Sequence, residues 1–420
     1  MKTSNLAFLH GFFSAKHFTS REKLQRFQQR QLHKILTQHG TRFYPNSDKL
    51  SDFPIINKRI FMQHFADINI ANISEKAALD VAMQAENSRD FSPLLATDQG
   101  EFIVGLSSGT SGSRGVFLVS PKESARWAGY MCRRLLPKPY LRPHRIAFFL
   151  RANSNLYESV RGRLIDFCFY DLLTPLARHI DTLNCQRPSV LIAPAKVLHL
   201  LSQDKRLNIA PEKIISVAEV LEPPIKAEIE ARFSQTVHQV YQCTEGFLAH
   251  TCPHGNLHLN EDLVFIEKDW LDKDTGRFAP IITDFNRRTQ PLIRYRLDDI
   301  LVADDRPCAC GSVFTRLKAI EGRCDDILFA KTVDNQDYTL FPDFVRRALI
   351  SVPYIQDYRV AQHGDCLHIA LNPLNTQTKQ ATEKALKAMC EKHHIQAFIL
   401  QFKAYEPRPL HEKQRRILRV

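Results

Sequence analysis

The stretch Ser107-Ser108-Gly109-Thr110-Ser111-Gly112-Ser113-Arg114-Gly115 carries three glycines and five hydroxyl residues in nine positions. It lies between two apolar runs, 102–106 and 116–119, that read as strands. Glycine lets backbone amides close around a polyphosphate, hydroxyls add donors, and Arg114 offsets charge. The Walker pattern G-x-x-x-x-G-K-[ST] is absent. A flexible linker is the alternative, but a linker seldom joins two tight strands, so phosphate binding is the better reading. Tyr241-Gln242-Cys243-Thr244-Glu245-Gly246 follows another strand-like run, 237–240. A carboxylate at the end of a buried strand suits magnesium, which takes one or two carboxylates plus phosphates, and Tyr241 could stack on a base. A strand and turn with a Glu is also a common structural element. Arg294-Tyr295-Arg296-Leu297-Asp298-Asp299 and Gly322-Arg323-Cys324-Asp325-Asp326 each set arginine beside paired aspartates. Such carboxylates fit either a ribose diol or plain ion pairing. Cys252, His254, His258, Cys308 and Cys310 form a candidate zinc set in two parts about fifty residues apart. Reduced core cysteines are the competing reading. Lys413 lies in a basic tail, where it is either solvated or presented to a negatively charged reaction centre.

These groups need a scaffold, and the composition allows one. The chain has 420 residues, 44% apolar and 24% charged, which is a globular balance long enough for two or three domains. Disordered, collagenous and mucin-like classes are excluded. No apolar run approaches the roughly 18 residues of a membrane span. The N-terminus lacks a full signal-peptide core, which predicts an intracellular, cytoplasmic protein with reduced cysteines. Strand-like runs recur between 145 and 330, with helical stretches such as 195–203 and 222–233 between them, so an α/β sheet core is expected. Residues 21–38 read as an amphipathic helix with Leu24, Phe27, Leu32, Ile35 and Leu36 on one face. After about 322 the pattern becomes that of a small α+β unit. The net charge is +12. It is concentrated in residues 1–60, with eleven basic against three acidic, and in 403–420, with six against two. No nucleic-acid-binding signature accompanies it, so specific nucleic-acid binding is not expected.

Taken in order, these segments resemble the adenylate-forming (acyl-AMP) ligase superfamily. They are most similar to the phenylacetate–CoA ligase-like branch, which includes the deazaflavin-coenzyme adenylating synthetases. The likeness runs from about residue 100 to the end. It implies a large N-terminal ATP- and acyl-binding domain, 1–322, with mixed sheets and helices. A small mobile α+β domain, 323–420, would follow a hinge. The resemblance implies that 107–115 holds the β- and γ-phosphates. Val217-Ala218-Glu219-Val220-Leu221 is similar to an adenine-side G-x-E-x-L segment, with Ala218 where glycine is frequent. Tyr241 would lie near the adenine, Thr244 on the α-phosphate and Glu245 on magnesium. Asp299 would hold the ribose hydroxyls, Arg323 would sit near ribose and phosphate, and Lys413 would bridge carboxylate and α-phosphate. The branch also resembles this chain in its cysteines, which favours zinc on Cys252, His258, Cys308 and Cys310 over a set containing His254. Glu412 stands where glycine usually precedes the terminal lysine, Leu297 where threonine is usual, and Gln242 where glycine is frequent.

The activity implied is ATP- and magnesium-dependent adenylation of a small-molecule carboxylic acid, followed by transfer to a thiol of coenzyme A or a carrier protein. An acyl pocket built by 148–157, 216–221 and 241–247 would suit an aryl or medium apolar acid. Two alternatives are an adenylating enzyme with no thiol step, passing AMP to a cofactor hydroxyl, and a non-catalytic basic binder of nucleic acid or membrane surfaces.

Overall fold

The structure, a computed structural model, describes residues 2–88, 90, 92–106, 115–150, 164–412 and 415–420. The chain divides into two compact units. The first holds Met1–Leu297 with Val302–Ala319, and the second holds Asp298–Leu301 with Ile320–Val420. The sequence reading placed one boundary at 322/323; the units instead separate a few residues earlier and include a detached segment.

Most of a 12-stranded sheet lies in the first unit. Its parallel part runs in the spatial order Ile165–Asp171, His144–Leu150, Val190–Pro194, Lys213–Val217, Val237–Cys243. These strands are near-continuous apolar runs such as Ile146 to Leu150, because a parallel sheet is covered on both faces. Helices Ala195–Gln203 and Pro223–Phe233 connect successive parallel strands. At Val237–Cys243 the sheet turns antiparallel through a tight hairpin to Gly246–Thr251. Strand Leu257–Leu259 follows, and then strands Arg316–Arg323, Asp299–Asp304, Arg277–Asp284 and Val264–Asp272 complete the order. A separate three-stranded sheet contains Gly100–Leu106 and Val116–Val119, so both expected strands flank the glycine-rich stretch.

Helix Pro121–Leu135 starts at a capping box: Ser120 accepts the Glu123 amide, and the Glu123 carboxylate accepts the Ser120 amide. Helix Arg21–Thr37 buries Leu24, Phe27, Ile35 and Leu36, the apolar face read from the sequence. Its Leu24 and Phe27 pack with Phe285. Arg21 makes a bidentate pair with Glu261 at 2.6 Å on both arms, and the Gln28 amide donates to the Glu261 carbonyl. The basic arm is therefore partly a packing element of the first unit.

The second unit is an α+β fold with a four-stranded sheet ordered Ile399–Ala404, Cys366–Asn372, Asp357–His363, Ile417–Arg419. Helices Pro342–Ile350 and Thr376–Lys392 pack a core that includes Leu340, Val345, Leu349, Ile369 and Leu386. The fold class expected from the sequence, a large α/β part followed by a small α+β part, is the one found.

Candidate functional site

Ligand sites in open α/β sheets gather beyond the carboxyl ends of parallel strands. Two neighbouring strands deliver candidate residues there. Lys213–Val217 leads into Ala218 and Glu219, and Val237–Cys243 leads into Thr244 and Glu245. The Glu219 amide donates to the Val217 carbonyl at 2.8 Å, which closes a three-residue turn. Its central residue, Ala218, has φ of 65°. That is the left-handed region in which a Cβ is unfavourable, and it is the position where glycine is frequent in the motif this segment resembles. The Glu219 carboxylate accepts the Lys196 amide at 3.1 Å, at the start of helix Ala195–Gln203. A negative charge there complements the helix N-terminus.

Thr244 and Glu245 form the hairpin turn after Val237–Cys243. The Thr244 hydroxyl donates to Glu245 Oε2 at 2.7 Å, and the Tyr295 hydroxyl donates to Glu245 Oε1 at 3.1 Å. The carboxylate is thus held from both oxygens. Tyr295 is itself buried, and strand Tyr295–Arg296 pairs with Arg277–Asp284. Arg287 donates to the Thr244 carbonyl at 3.2 Å, and its guanidinium lies 5.5 Å from the centre of the Phe117 ring. The backbone that places Arg287 is fixed by Asp284, whose Oδ1 accepts the amides of Asn286 and Arg287. Burial pushes the Asp284 carboxyl above its ordinary range, against those hydrogen bonds and the Arg287 charge.

These groups open onto one crevice. Its lining includes Thr244, Glu245, Arg287, Tyr295, Lys58, Phe61, Gly115 and Val116. The crevice joins the strand-end carboxylate to the residue that closes the glycine-rich stretch. Ser107, Ser108, Gly109, Thr110, Ser111, Gly112, Ser113 and Arg114 lie outside the described residues, as do Lys413 and the 151–157 part of the expected acyl pocket. Tyr241 is buried in the strand, opposite Ala249. Gln242 accepts a hydrogen bond from the Trp127 indole at 3.4 Å. Asp299 and Arg323 come together within the second unit, Nε to Oδ1 3.9 Å.

Sequence reasoning gave no role to Tyr295, Arg287 or Lys58. Tyr295 was visible only as part of an Arg-rich segment. Its partner lies fifty positions away, a distance no local pattern reports.

The Cys252, His258, Cys308 and Cys310 donor atoms all lie within 4.8 Å of one another. Cys252 and Cys308 sulfurs are 3.8 Å apart, and Cys310 Sγ is 3.5 Å from His258 Nε2. A tetrahedron with Zn–S near 2.3 Å has S···S edges of about 3.8 Å, so the set has the size of a zinc site. His258 Nδ1 donates to the Phe314 carbonyl at 3.2 Å, which leaves Nε2 turned to the sulfurs. Asn256 and the Ser312 amide donate to the Cys308 and Cys310 sulfurs. His254 is exposed and outside the group.

No family model matches the chain. Two curated proteins are similar to it. Phenylacetate-coenzyme A ligase of Thermus thermophilus is 23% identical over 196 residues, 42% of this chain and 42% of its own. Protein CapK of Staphylococcus aureus is 25% identical over 193 residues, 43% of this chain and 42% of its own. Each match thus spans about two fifths of the relative's length. Among solved structures, 2-hydroxyisobutyryl-CoA ligase in the postadenylation state with R3-HIB-AMP superimposes with a TM-score of 0.65 at 14% identity. That match covers 94% of this chain and 88% of the other. The fold is that of the adenylate-forming ligases. Its sequence likeness, over about two fifths of the chain, is to phenylacetate-coenzyme A ligase and protein CapK. In this adenylate-forming ligase fold the Thr244–Glu245 turn and the Val217–Glu219 turn share one sheet edge.

Proposed function

We propose that the protein is an ATP-dependent ligase that adenylates a carboxylic acid. The observation that carries this reading is the Glu245 carboxylate, held by Thr244 and Tyr295 over a crevice that Gly115 and Val116 help to line. The solved relatives with an acyl-AMP bound support it. An oxygen of the acid attacks the α-phosphorus of ATP, the bond from that phosphorus to the bridging oxygen breaks, and pyrophosphate leaves. The protein's part is positioning and charge stabilisation. Loop 107–115 would cradle the β- and γ-phosphates, Thr244 would reach the α-phosphate, and Asp299 with Arg323 would take the ribose. Lys413 would bridge the attacking carboxylate and the α-phosphate. Magnesium held by Glu245 would supply charge neutralisation across the phosphates. The acyl group would then pass to a thiol of coenzyme A or a carrier protein: sulfur bonds to the acyl carbon and AMP leaves. An aryl or medium apolar acid would be taken by a pocket that 148–157, 216–221 and 241–247 would help to build.

Zinc on Cys252, His258, Cys308 and Cys310 would be structural, because four protein donors leave no open position. The compartment this reading fits is the cytoplasm.

The direct test is product analysis with two variants. Glu245→Gln and Lys413→Ala should still bind ATP, while acyl-AMP formation falls by about a hundredfold or more. Unchanged acyl-AMP formation in both would overturn the assignment.

A further inference from the structure

Helix Lys2–Phe13 is apolar on two faces. One face is seated: Ala7 and Gly11 pack on helix Pro121–Leu135 at Gly129. The contact is so close that a Cβ on Gly11 would lie 2.1 Å from the Arg126 carbonyl, and one on Gly129 2.1 Å from the Phe8 carbonyl. The helix is therefore locked in place. Its other face carries Leu6, Leu9 and Phe13 at i, i+3 and i+7, with exposures of 67%, 49% and 74%. Phe13 touches Phe12, Phe12 touches Tyr140, and beside Tyr140 stands Leu141 at 84% exposure. An open apolar ridge of this kind marks an interaction surface.

The charge on the two segments that carry it is mostly positive. Residues 1–20 and 121–146 contain one acidic residue, Glu123, against nine lysines and arginines, of which Arg134 is buried against Asp262 and Arg142 pairs with Glu212, leaving seven. Arg133 lies over the Tyr140 ring at 4.4 Å and over Phe12 at 5.7 Å. The His10 imidazole is held below its ordinary range, first by burial and then by Arg126 and Lys122.

We infer that this ridge docks the protein on an anionic phospholipid surface, with Leu6, Leu9, Phe13 and Leu141 entering the interface and the surrounding cations facing the headgroups. A second copy would bring cation against cation. Anionic headgroups complement the cations beside the apolar side chains. The helix has 12 residues, about 18 Å, too short to cross a hydrocarbon core of about 30 Å, so it lies on the surface. Among the described residues no helix is long and apolar enough to cross a membrane. The inference stands apart from the adenylation reading, and neither depends on the other.

The test is sedimentation of the full chain with vesicles of phosphatidylglycerol and phosphatidylcholine in equal parts, and with phosphatidylcholine alone. Binding to the anionic vesicles is expected, lost toward about 1 M salt, with little binding to the neutral ones. Leu6→Ser with Leu9→Ser and Phe13→Ser should weaken partition roughly tenfold or more, because buried acyl-phase area is lost. Lys122→Glu with Lys138→Glu, both exposed, should weaken it several-fold and serves if the serine variant fails to fold. The inference is overturned if the native chain does not bind anionic vesicles, or if it binds and both variants bind equally well. A dimer that the serine variant dissolves, without vesicle binding, would assign the ridge to a second copy. Equal capture by soluble polyglutamate would assign it to an acidic protein.

Discussion

At the scale of single residues, Ala218 is a position in the candidate site where backbone geometry and sequence disagree. Its φ of 65° suits glycine, yet the side chain is present. Ala218→Gly should therefore be tolerated without loss of stability. Ala218→Val should lower it by about 1–2 kcal/mol, because a branched Cβ is disfavoured in the left-handed region. Denaturant midpoints of the two variants check this, and equal midpoints would contradict it. The site residues differ in how far the sequence announced them. Thr244 and Glu245 stood out because a carboxylate followed a strand-like run. The hydroxyl that holds Glu245, Tyr295, did not, because the pairing depends on a strand register that no local pattern encodes. Arg287 was hidden in the same way: its role rests on Asp284 bending the backbone under Thr244.

At the scale of elements, the hairpin of Val237–Cys243 and Gly246–Thr251 carries two half-buried imidazoles, His238 and His250. Burial holds His238 down to about 4 and His250 down to about 3, with nearby cations adding to the effect. Both are neutral in the folded chain, while the unfolded chain takes up protons near 6.5. Their contribution to stability is full above that pH and is lost as pH falls toward 4 and then 3. The unfolding midpoint should be lower at about pH 5 than at about pH 7.5, and His250→Gln should flatten the difference. A midpoint independent of pH over that range would contradict the assignment. The Cys/His set takes Cys252 and His258 from the segment that follows this hairpin and Cys308 and Cys310 from a segment about fifty residues later. Purified protein should contain about one zinc per chain, and a strong chelator should lower the melting temperature. Metal-free protein with an unchanged melting curve in chelator would remove the zinc reading. Long apolar strands and the amphipathic helix at 21–37 were legible because their periods are local. Helix Lys2–Phe13 was not, because it is apolar on both faces and has no single stripe to read.

At the scale of the whole molecule, the order of motifs along the chain pointed to the fold before any coordinate did. The motifs do not share one sheet: the glycine-rich stretch is flanked by two strands of the three-stranded sheet, whereas Ala218 and Thr244 follow neighbouring parallel strands of the 12-stranded one. The division into units was less legible. The second unit takes in Asp298–Leu301, a segment separated from the rest of it by residues of the first, and a linear reading draws one boundary where the fold uses several. The central claim is acid-dependent adenylation, and it rests on Glu245, the crevice it faces and the likeness of the whole fold to ligases with acyl-AMP bound. The measurement that tests it most directly is carboxylate-dependent ATP–pyrophosphate exchange across a panel of aryl and medium-chain acids. The account predicts exchange with some acids and not others, dependent on magnesium and abolished by Glu245→Gln. Absence of exchange with every acid, in protein that is folded and binds ATP, would contradict it.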